Sequence, residues 1–319
     1  MKHYFIINPA AGQGKAQNGL EDKIATAAEK SGAEYEIHYT TGIGDAERFV
    51  REICDNLTEK ARFYACGGDG TFSEVGNGAY GCENAEITVI PVGTGNDFVR
   101  NFENPKLFTD IDAQMRGEAV RTDVIRYNDR IAVNMINIGF DCYVAKRMTA
   151  IKRHKWVPRG SEYIAALVIE FCRKSGVKFS SVALDGEDVG ENAFLLGCLG
   201  NGSFCGGGFK CAPVASLTDG ELDICLVRNM NIFKCLKIIG KYKKGTFLTD
   251  PLALKNIMYK KIRSAHMTFG GEGQLVSFDG EIVRVKELKI EVAPLAMNVS
   301  LPAGVAIPQK EKSAETLGV

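Results

Sequence analysis

The sequence has no excess charge of either sign. Its 319 residues carry 39 Lys and Arg against 39 Asp and Glu, which argues against the basic footprint of a nucleic-acid binder. Histidine is scarce: His3, His38, His154 and His266 are scattered, and none of the ten cysteines forms a C-x-x-C pair. No zinc pattern results. Long apolar runs are missing as well. The longest uncharged stretch, residues 192–209, is crowded with glycine and asparagine and does not read as a membrane span. The opening MKHYFIINPAAG passes from a short apolar strand into Asn-Pro with no h-region or cleavage site. It reads as lacking a signal peptide, and the chain is expected to be cytoplasmic with reduced thiols. What is present is globular in balance, 45% apolar and 24% charged, with length enough for two domains.

The neutral total conceals an asymmetry. Residues 1–145 have a net charge of −8, residues 146–263 of +10, and residues 264–319 of −2. Within the basic section Lys146, Arg147, Lys152, Arg153, Lys155 and Arg159 crowd fourteen residues that contain no acid, beside Trp156. Tyr163, Leu167 and Phe171 follow at helical spacing, and Lys234, Lys237, Lys241, Lys243 and Lys244 surround Phe233, Leu236 and Ile239. Basic residues beside interfacial aromatics suit an anionic bilayer, although a solvated helix face accounts for the same pattern.

Residues 1–100 alternate apolar runs with helical periodicity. Strands are expected at 4–7, 35–39, 63–66 and 87–92, and helices at 14–30, 45–57 and 71–80. This order predicts a parallel sheet with helices on both faces. After about residue 118 short alternating segments take over. They are expected at 120–127 and 131–138 around Asn128-Asp129, at 179–184 and 192–199 flanking Asp185-Gly186, and at 222–227, 262–269, 275–278, 282–285 and 288–292. Helices at 162–172 and 232–242 interrupt them. The second half therefore reads as mostly antiparallel β.

Gly67-Gly68-Asp69-Gly70-Thr71 follows an apolar strand and opens a helix. Glycines there let backbone N–H groups approach a phosphate, and a helix N-terminus favours its charge. Thr71 with Glu74 fits a capping box. Asp69 would repel a phosphate unless a divalent cation lies between them, which points to a metal–nucleotide complex. The loop Pro91-Val92-Gly93-Thr94-Gly95-Asn96-Asp97-Phe98 follows the fourth strand. Parallel strands place it at the same carboxyl edge as Asn8-Pro9, Thr40 and the first glycine loop. G-x-x-x-x-G-K-[ST] does not occur, and neither strand-following loop completes G-x-G-x-x-G, since Gln17 follows Gly12-x-Gly14 and Phe98 follows Gly93-x-Gly95, so a P-loop kinase and a nicotinamide dehydrogenase are disfavoured. Asp219 and Asp223, four apart around Gly220, could hold a hard cation or simply lead a solvated loop into a strand. Asp279-Gly280 reads first as a hairpin turn.

Taken together, these loops resemble the diacylglycerol kinase catalytic family, which includes soluble bacterial lipid kinases and the sphingosine and ceramide kinases. The likeness rests on Asn8-Pro9-x-x-Gly12, Gly67–Thr71 with Glu74-Val75-x-Asn77-Gly78, and Pro91-x-Gly93-Thr94-x-Asn96-Asp97-Phe98. It continues through Asn201-Gly202-x-x-x-Gly206-Gly207-Gly208, Ala212-Pro213, Asp219-Gly220-x-Leu222-Asp223 and Asp279-Gly280-Glu281, over roughly residues 5–295. GGDGT alone is shared with NAD kinases and phosphofructokinase-like folds. The resemblance implies a doubly wound parallel α/β domain at 1–125, with the segment from about 293 to 319 packing back on it. A β-sandwich-like domain at 126–292 would follow, with the nucleotide cleft between the two.

The same resemblance implies ATP-dependent phosphorylation of a lipid hydroxyl, with diacylglycerol giving phosphatidic acid as the first expectation. MgATP would meet Asn8, Thr40, Gly67, Gly68, Gly70, Thr71, Glu74, Gly93, Thr94 and Asn96, and Asp69 would place the catalytic Mg2+. Asp279 would be the general base with Glu281 as helper. Asp219 and Asp223, with the Glu221 carbonyl, would hold a structural Mg2+. The expected partner is a lipid at an anionic membrane surface, met peripherally at the inner face, with no nucleic acid and a homodimer left open. An NAD kinase-like small-molecule kinase and a non-catalytic nucleotide-binding module are the rival readings.

Overall fold

The computed structural model describes residues 1–14, 18–151, 162–173 and 175–308. Lys152, Arg153, Lys155, Trp156 and Arg159 lie outside the described residues, as do the side chains of Tyr163 and Leu167 and the tail from 309. The chain forms two compact units. Unit 1 takes Met1–Asn134, Ser216–Gly220 and the described residues from Ala293 to 308, and unit 2 takes Met135–Ala215 and Glu221–Val292. The sequence division at 125 and 126 falls inside a strand whose hairpin partner stays in unit 1.

Unit 1 begins β1 (Lys2–Ile7), α1 (Leu20–Ser31), β2 (Tyr35–Tyr39), α2 (Asp45–Cys54), β3 (Ala61–Gly67), α3 (Asp69–Ala79) and β4 (Ala85–Pro91). A short helix α4 (Ile111–Met115), then β5 (Glu118–Tyr127) and β6 (Arg130–Ala132), complete its first part. The strands pair in parallel in the order β2-β1-β3-β4. Every residue of β3 is buried, as expected of a strand covered on both faces. Period-2 alternation divides β1 between two cores. Tyr4 and Ile6 pack with Ala46 and Val50 of α2 and Phe72 and Val75 of α3. Phe5 and Ile7 pack with Leu20, Ile24 and Ala27 of α1. This is the doubly wound arrangement read from the sequence.

Unit 2 runs through β7 (Met135–Gly139), α5 (Phe140–Ile151), α6 (Glu162–Cys172), β8 (Val177–Leu184), β9 (Glu187–Asp188) and β10 (Ala193–Gly200). It continues with β11 (Leu222–Arg228), α7 (Ile232–Lys244), α8 (Pro251–Leu254), β12 (Ile257–Ile262), β13 (Ser264–Phe269), β14 (Gln274–Phe278), β15 (Glu281–Val285) and β16 (Glu287–Leu301). The antiparallel path β15-β14-β7-β10-β11-β12 forms one set of strands, and β9-β8-β13-β16 another. Helices α5 and α7 pack Phe140, Val144, Ile238 and Tyr242 against Leu195, Cys225 and Tyr259.

Four expectations need correction. The strand expected at 131–138 is two, β6 paired to β5 and β7 paired to β10 and β14. They part at Asn134, whose side chain accepts a hydrogen bond from Asn101. The strand expected at 262–269 is the second of a pair, β12 and β13. Helix α1 starts at Leu20 rather than at 14. Finally, β16 does not stop at 292. Its later part, from Ala293, belongs to unit 1 and pairs in parallel with β4, Val299 opposite Ile87.

Candidate active site

In unit 1 the carboxyl ends of the parallel strands carry the loops singled out above. The chain leaves β1 toward β2 on one side and then crosses to β3 on the other, so the topological switch point lies between β1 and β3. Asn8 and Thr71 meet there, Asn8 Nδ2 donating to Thr71 Oγ1 at 3.1 Å. Asn8 Oδ1 accepts the Ala10 N–H at 3.0 Å and fixes the turn after β1. The Thr40 N–H bonds the Ile7 carbonyl, which ties the end of β2 to the same edge. Beyond it, the Thr41 N–H, with Arg48 and His38, holds the Asp45 carboxyl down at about 2.

The two glycine loops are built against each other. The Gly67 carbonyl accepts the N–H groups of both Val92 and Gly93. A Cβ at Gly93 would lie 2.5 Å from the Gly68 Cα, and one at Gly67 would lie 2.3 Å from Thr71 Oγ1. No other residue fits either place. Asp69 Oδ1 accepts the backbone N–H groups of Asp97 at 2.8 Å and Phe98 at 3.2 Å, so this carboxylate fastens the second loop to the first. Asn96 has φ 53 and donates through Nδ2 to the Gly93 carbonyl at 2.8 Å. Its Oδ1 is buried with no hydrogen-bond partner. The first ladder bond of α3 runs from Phe72 N–H to Gly68 C=O, which places the Gly70 and Thr71 N–H groups ahead of the ladder, where an anion can take them. Gly70 and Thr94 are exposed. A glycine cradle and helix N–H donors suit a nucleotide phosphate, and the orphaned Asn96 oxygen, an acceptor, suits a hydroxyl or amino donor of the nucleotide.

The capping box does not form. Thr71 Oγ1 is engaged with Asn8, and Glu74 instead accepts the N–H groups of Gly44 at 3.0 Å and Ala46 at 3.2 Å, at the start of α2. Glu74 therefore supports the site by capping a neighbouring helix. Glu74→Ala should cost about 1 kcal/mol, the usual scale of a lost cap. The urea midpoint should fall while the slope stays constant. Unchanged stability with weakened nucleotide binding would place Glu74 at the ligand instead.

In unit 2, Asp279 and Gly280 form the hairpin turn between β14 and β15 with φ of 47 and 99. Asp279 is 8% exposed. Its Oδ1 accepts the Met135 N–H at 2.8 Å and its N–H returns to the Met135 carbonyl at 3.0 Å. The carboxylate is thus anchored at the first residue of β7. Glu281, two residues on, is exposed.

The expected metal ligands are not assembled as a cation site. Asp223 has no exposed surface. Its Oδ1 accepts the Tyr259 hydroxyl at 2.6 Å and its Oδ2 meets Lys261 Nζ at 3.0 Å, so an ammonium already balances its charge. Burial and this carboxylate push the Tyr259 phenol well above its usual range. Asp219 is exposed and belongs to unit 1, whereas Glu221 and Asp223 belong to unit 2. Among the described residues no group of three or more His, Cys, Asp or Glu is arranged to hold a metal. Asp223 does not fit as a metal ligand.

One organising residue escaped the sequence reading. Asp123, fully buried in β5, accepts the N–H groups of Gly220 at 2.7 Å and Leu295 at 2.8 Å, and its own N–H bonds the Leu217 carbonyl. It staples segment 216–220 and the start of the returning strand to β5. The available signal was a lone carboxylate inside the apolar alternation 120–127.

A model of the diacylglycerol kinase catalytic domain matches residues 2–127. A model described as the YegS C-terminal NAD kinase β-sandwich-like domain matches residues 134–301. The chain belongs to the diacylglycerol kinase catalytic family. This lipid kinase is 32% identical over 278 residues to a protein named probable lipid kinase YegS-like from Alcanivorax borkumensis, covering 86% of this chain and 89% of the relative. It is 29% identical over 287 residues to the diacylglycerol kinase of Bacillus subtilis, covering 87% and 88%. A crystal structure titled as a diacylglycerol kinase from Bacillus anthracis shares the fold, with a TM-score of 0.64 and 22% identity over 95% of this chain and 97% of the other. Membership of a kinase family implies use of ATP. No helix among the described residues is long and apolar enough to cross a membrane.

Proposed function

We propose that this lipid kinase transfers the γ-phosphoryl group of ATP to the hydroxyl of diacylglycerol, at the surface of an anionic membrane. The observation that carries the ATP site is the interlocked glycine loops, in which a Cβ on Gly93 would run into the Gly68 backbone and Asp69 pins the N–H groups of Asp97 and Phe98. The choice of lipid is supported by the name of the Bacillus subtilis relative. Phosphoryl transfer asks mainly for positioning and charge neutralisation. The donors ahead of the α3 ladder would take the phosphates, and Asp69 would be the carboxylate that holds Mg2+. Mg2+ would supply neutralisation of phosphate charge. Asp279, held by Met135, would accept the proton of the lipid hydroxyl, with the exposed Glu281 beside it in sequence.

Membrane docking is proposed through α7. Phe233 and Leu236 are 74% and 58% exposed on this helix, and Lys234, Lys237, Lys243 and Lys244 are exposed with them. Apolar side chains among ammonium groups suit the boundary of an anionic bilayer, where each Lys contributes about 1 kcal/mol. The first basic cluster contributes less than its composition suggested, because Arg147 is engaged at 2.6 Å with the buried Glu170.

The test is transfer of γ-labelled phosphate to diacylglycerol, monoacylglycerol, phosphatidylglycerol and a sphingoid base, each in zwitterionic and in anionic vesicles. Label should pass to phosphatidic acid, faster in the anionic vesicles. Label on another lipid only would overturn the substrate. Equal rates in both vesicle types would overturn the docking, and label on NAD in place of every lipid would favour the small-molecule kinase.

A further inference from the structure

The glycine-rich segment 201–212 of unit 2 contains two cysteines that the phosphotransfer reading does not use. Cys205 and Phe209 exchange both backbone hydrogen bonds, at 2.9 and 2.8 Å. Gly206, Gly207 and Gly208 cross between them with φ of 59, 78 and 109, a run of left-handed backbone that only glycine adopts readily. Below the turn the Ala212 N–H bonds the Ser203 carbonyl. This closed loop sets Cys205 Sγ 2.7 Å from Cys211 Sγ. Non-bonded heavy atoms rest at about 3.5–4.0 Å, so the two sulfurs are held closer than separate side chains settle. Asn137 Nδ2 approaches Cys205 Sγ at 3.4 Å from the other side.

The two thiols differ in access. Cys205 is half-buried, whereas Cys211 is 2% exposed. An oxidant would therefore meet Cys205 first, with Cys211 poised behind it as the resolving thiol.

We propose that Cys205 and Cys211 form a reversible dithiol–disulfide site that closes the glycine loop covalently. With a hydroperoxide as oxidant, the Cys205 sulfur attacks the peroxide oxygen, the O–O bond breaks, and Cys205 becomes a sulfenic acid as hydroxide or alkoxide leaves and takes up the proton that the Cys205 thiol gives up. The Cys211 sulfur then attacks the Cys205 sulfur. The S–S bond forms, the S–O bond breaks, and water departs with the Cys211 proton. Two thiols have lost two electrons, and one peroxide has gained them.

The experiment exposes the native full-length chain to stoichiometric hydrogen peroxide, alkylates it in denaturant and digests it with trypsin. Lys210 separates the two cysteines, so the disulfide joins two peptides. The expected product is a Cys205–Cys211 cross-link, lighter than the two reduced peptides by two hydrogen atoms and released by a thiol reductant. Titratable thiols in denaturant should fall by two from ten. Cys211→Ser should give no cross-link and leave Cys205 as a trapped sulfenic acid. Because the wild-type mapping needs no variant, the proposal stays testable if that chain folds poorly. Linkage through Cys198 or Cys225, or Cys205 and Cys211 both fully alkylated after peroxide, overturns it.

Discussion

Asp279→Asn should lower lipid phosphorylation by about 10²–10⁴, the span expected when a general base is lost, while the chain keeps its fold and its affinity for ATP. The turn explains why asparagine is the informative replacement. Residue 279 has φ 47 and its side-chain oxygen accepts the Met135 N–H. Asparagine tolerates left-handed backbone and retains a carbonyl oxygen for that bond. What it cannot do is take a proton from an alcohol. Alanine would lose the anchor as well and confuse the two effects. The measurement is kcat for the lipid with KM for ATP, alongside thermal melting. Turnover within a few-fold of the parent at unchanged stability would remove Asp279 from the chemistry.

The second large effect is one of stability. Lys261→Met should destabilise unit 2 by about 3–5 kcal/mol, the range seen when one partner of a buried ion pair is deleted. Asp223 is fully buried, Lys261 is its cationic partner, and Tyr259 supplies only a neutral donor. Asp223→Asn combined with Lys261→Met should recover part of the loss, since no charge is then left unpaired. Urea unfolding of the three chains measures this. A loss under 1 kcal/mol for Lys261→Met would mean that something else balances Asp223, and recovery of the single variant by added Mg2+ would identify that balance as a divalent cation.

The α/β half was readable because both of its signals are local. Alternation in β1 and the stripes of α1 and α2 give the layers, and loops that follow parallel strands must share one edge. The turns at Asn128, Asp185 and Asp279 were readable for the same reason, since each residue type tolerates the positive φ found there. Helix α5 was missed although Phe140, Val144 and Met148 recur every four residues, because a strand ending in Gly139 runs straight into it. The partners of Glu74 and Asp223 were not legible. A T-x-x-E pattern describes one turn of one helix, yet the Glu74 acceptors are used by backbone N–H groups 28 and 30 residues earlier. D-G-x-L-D likewise says nothing of Lys261, 38 residues downstream. Carboxylates choose among all donors that the fold brings near, and residue spacing describes only those nearby in sequence.

The return of β16 to unit 1 bears on how the chain can be made. Beside β4 lies a strand whose residues, from Ala293, leave a ribosome only after the described strands of unit 2. Until they emerge β4 keeps a bare edge, of the kind that recruits other chains, and β5, which also pairs with β16, lacks its neighbour. Unit 1 is therefore begun before unit 2 and finished after it, and while unit 2 is being made its glycine loops sit on an incomplete sheet. A nonsense codon anywhere before residue 293 would remove the closing strand from the amino-terminal unit, so the damage would appear far from the point of truncation.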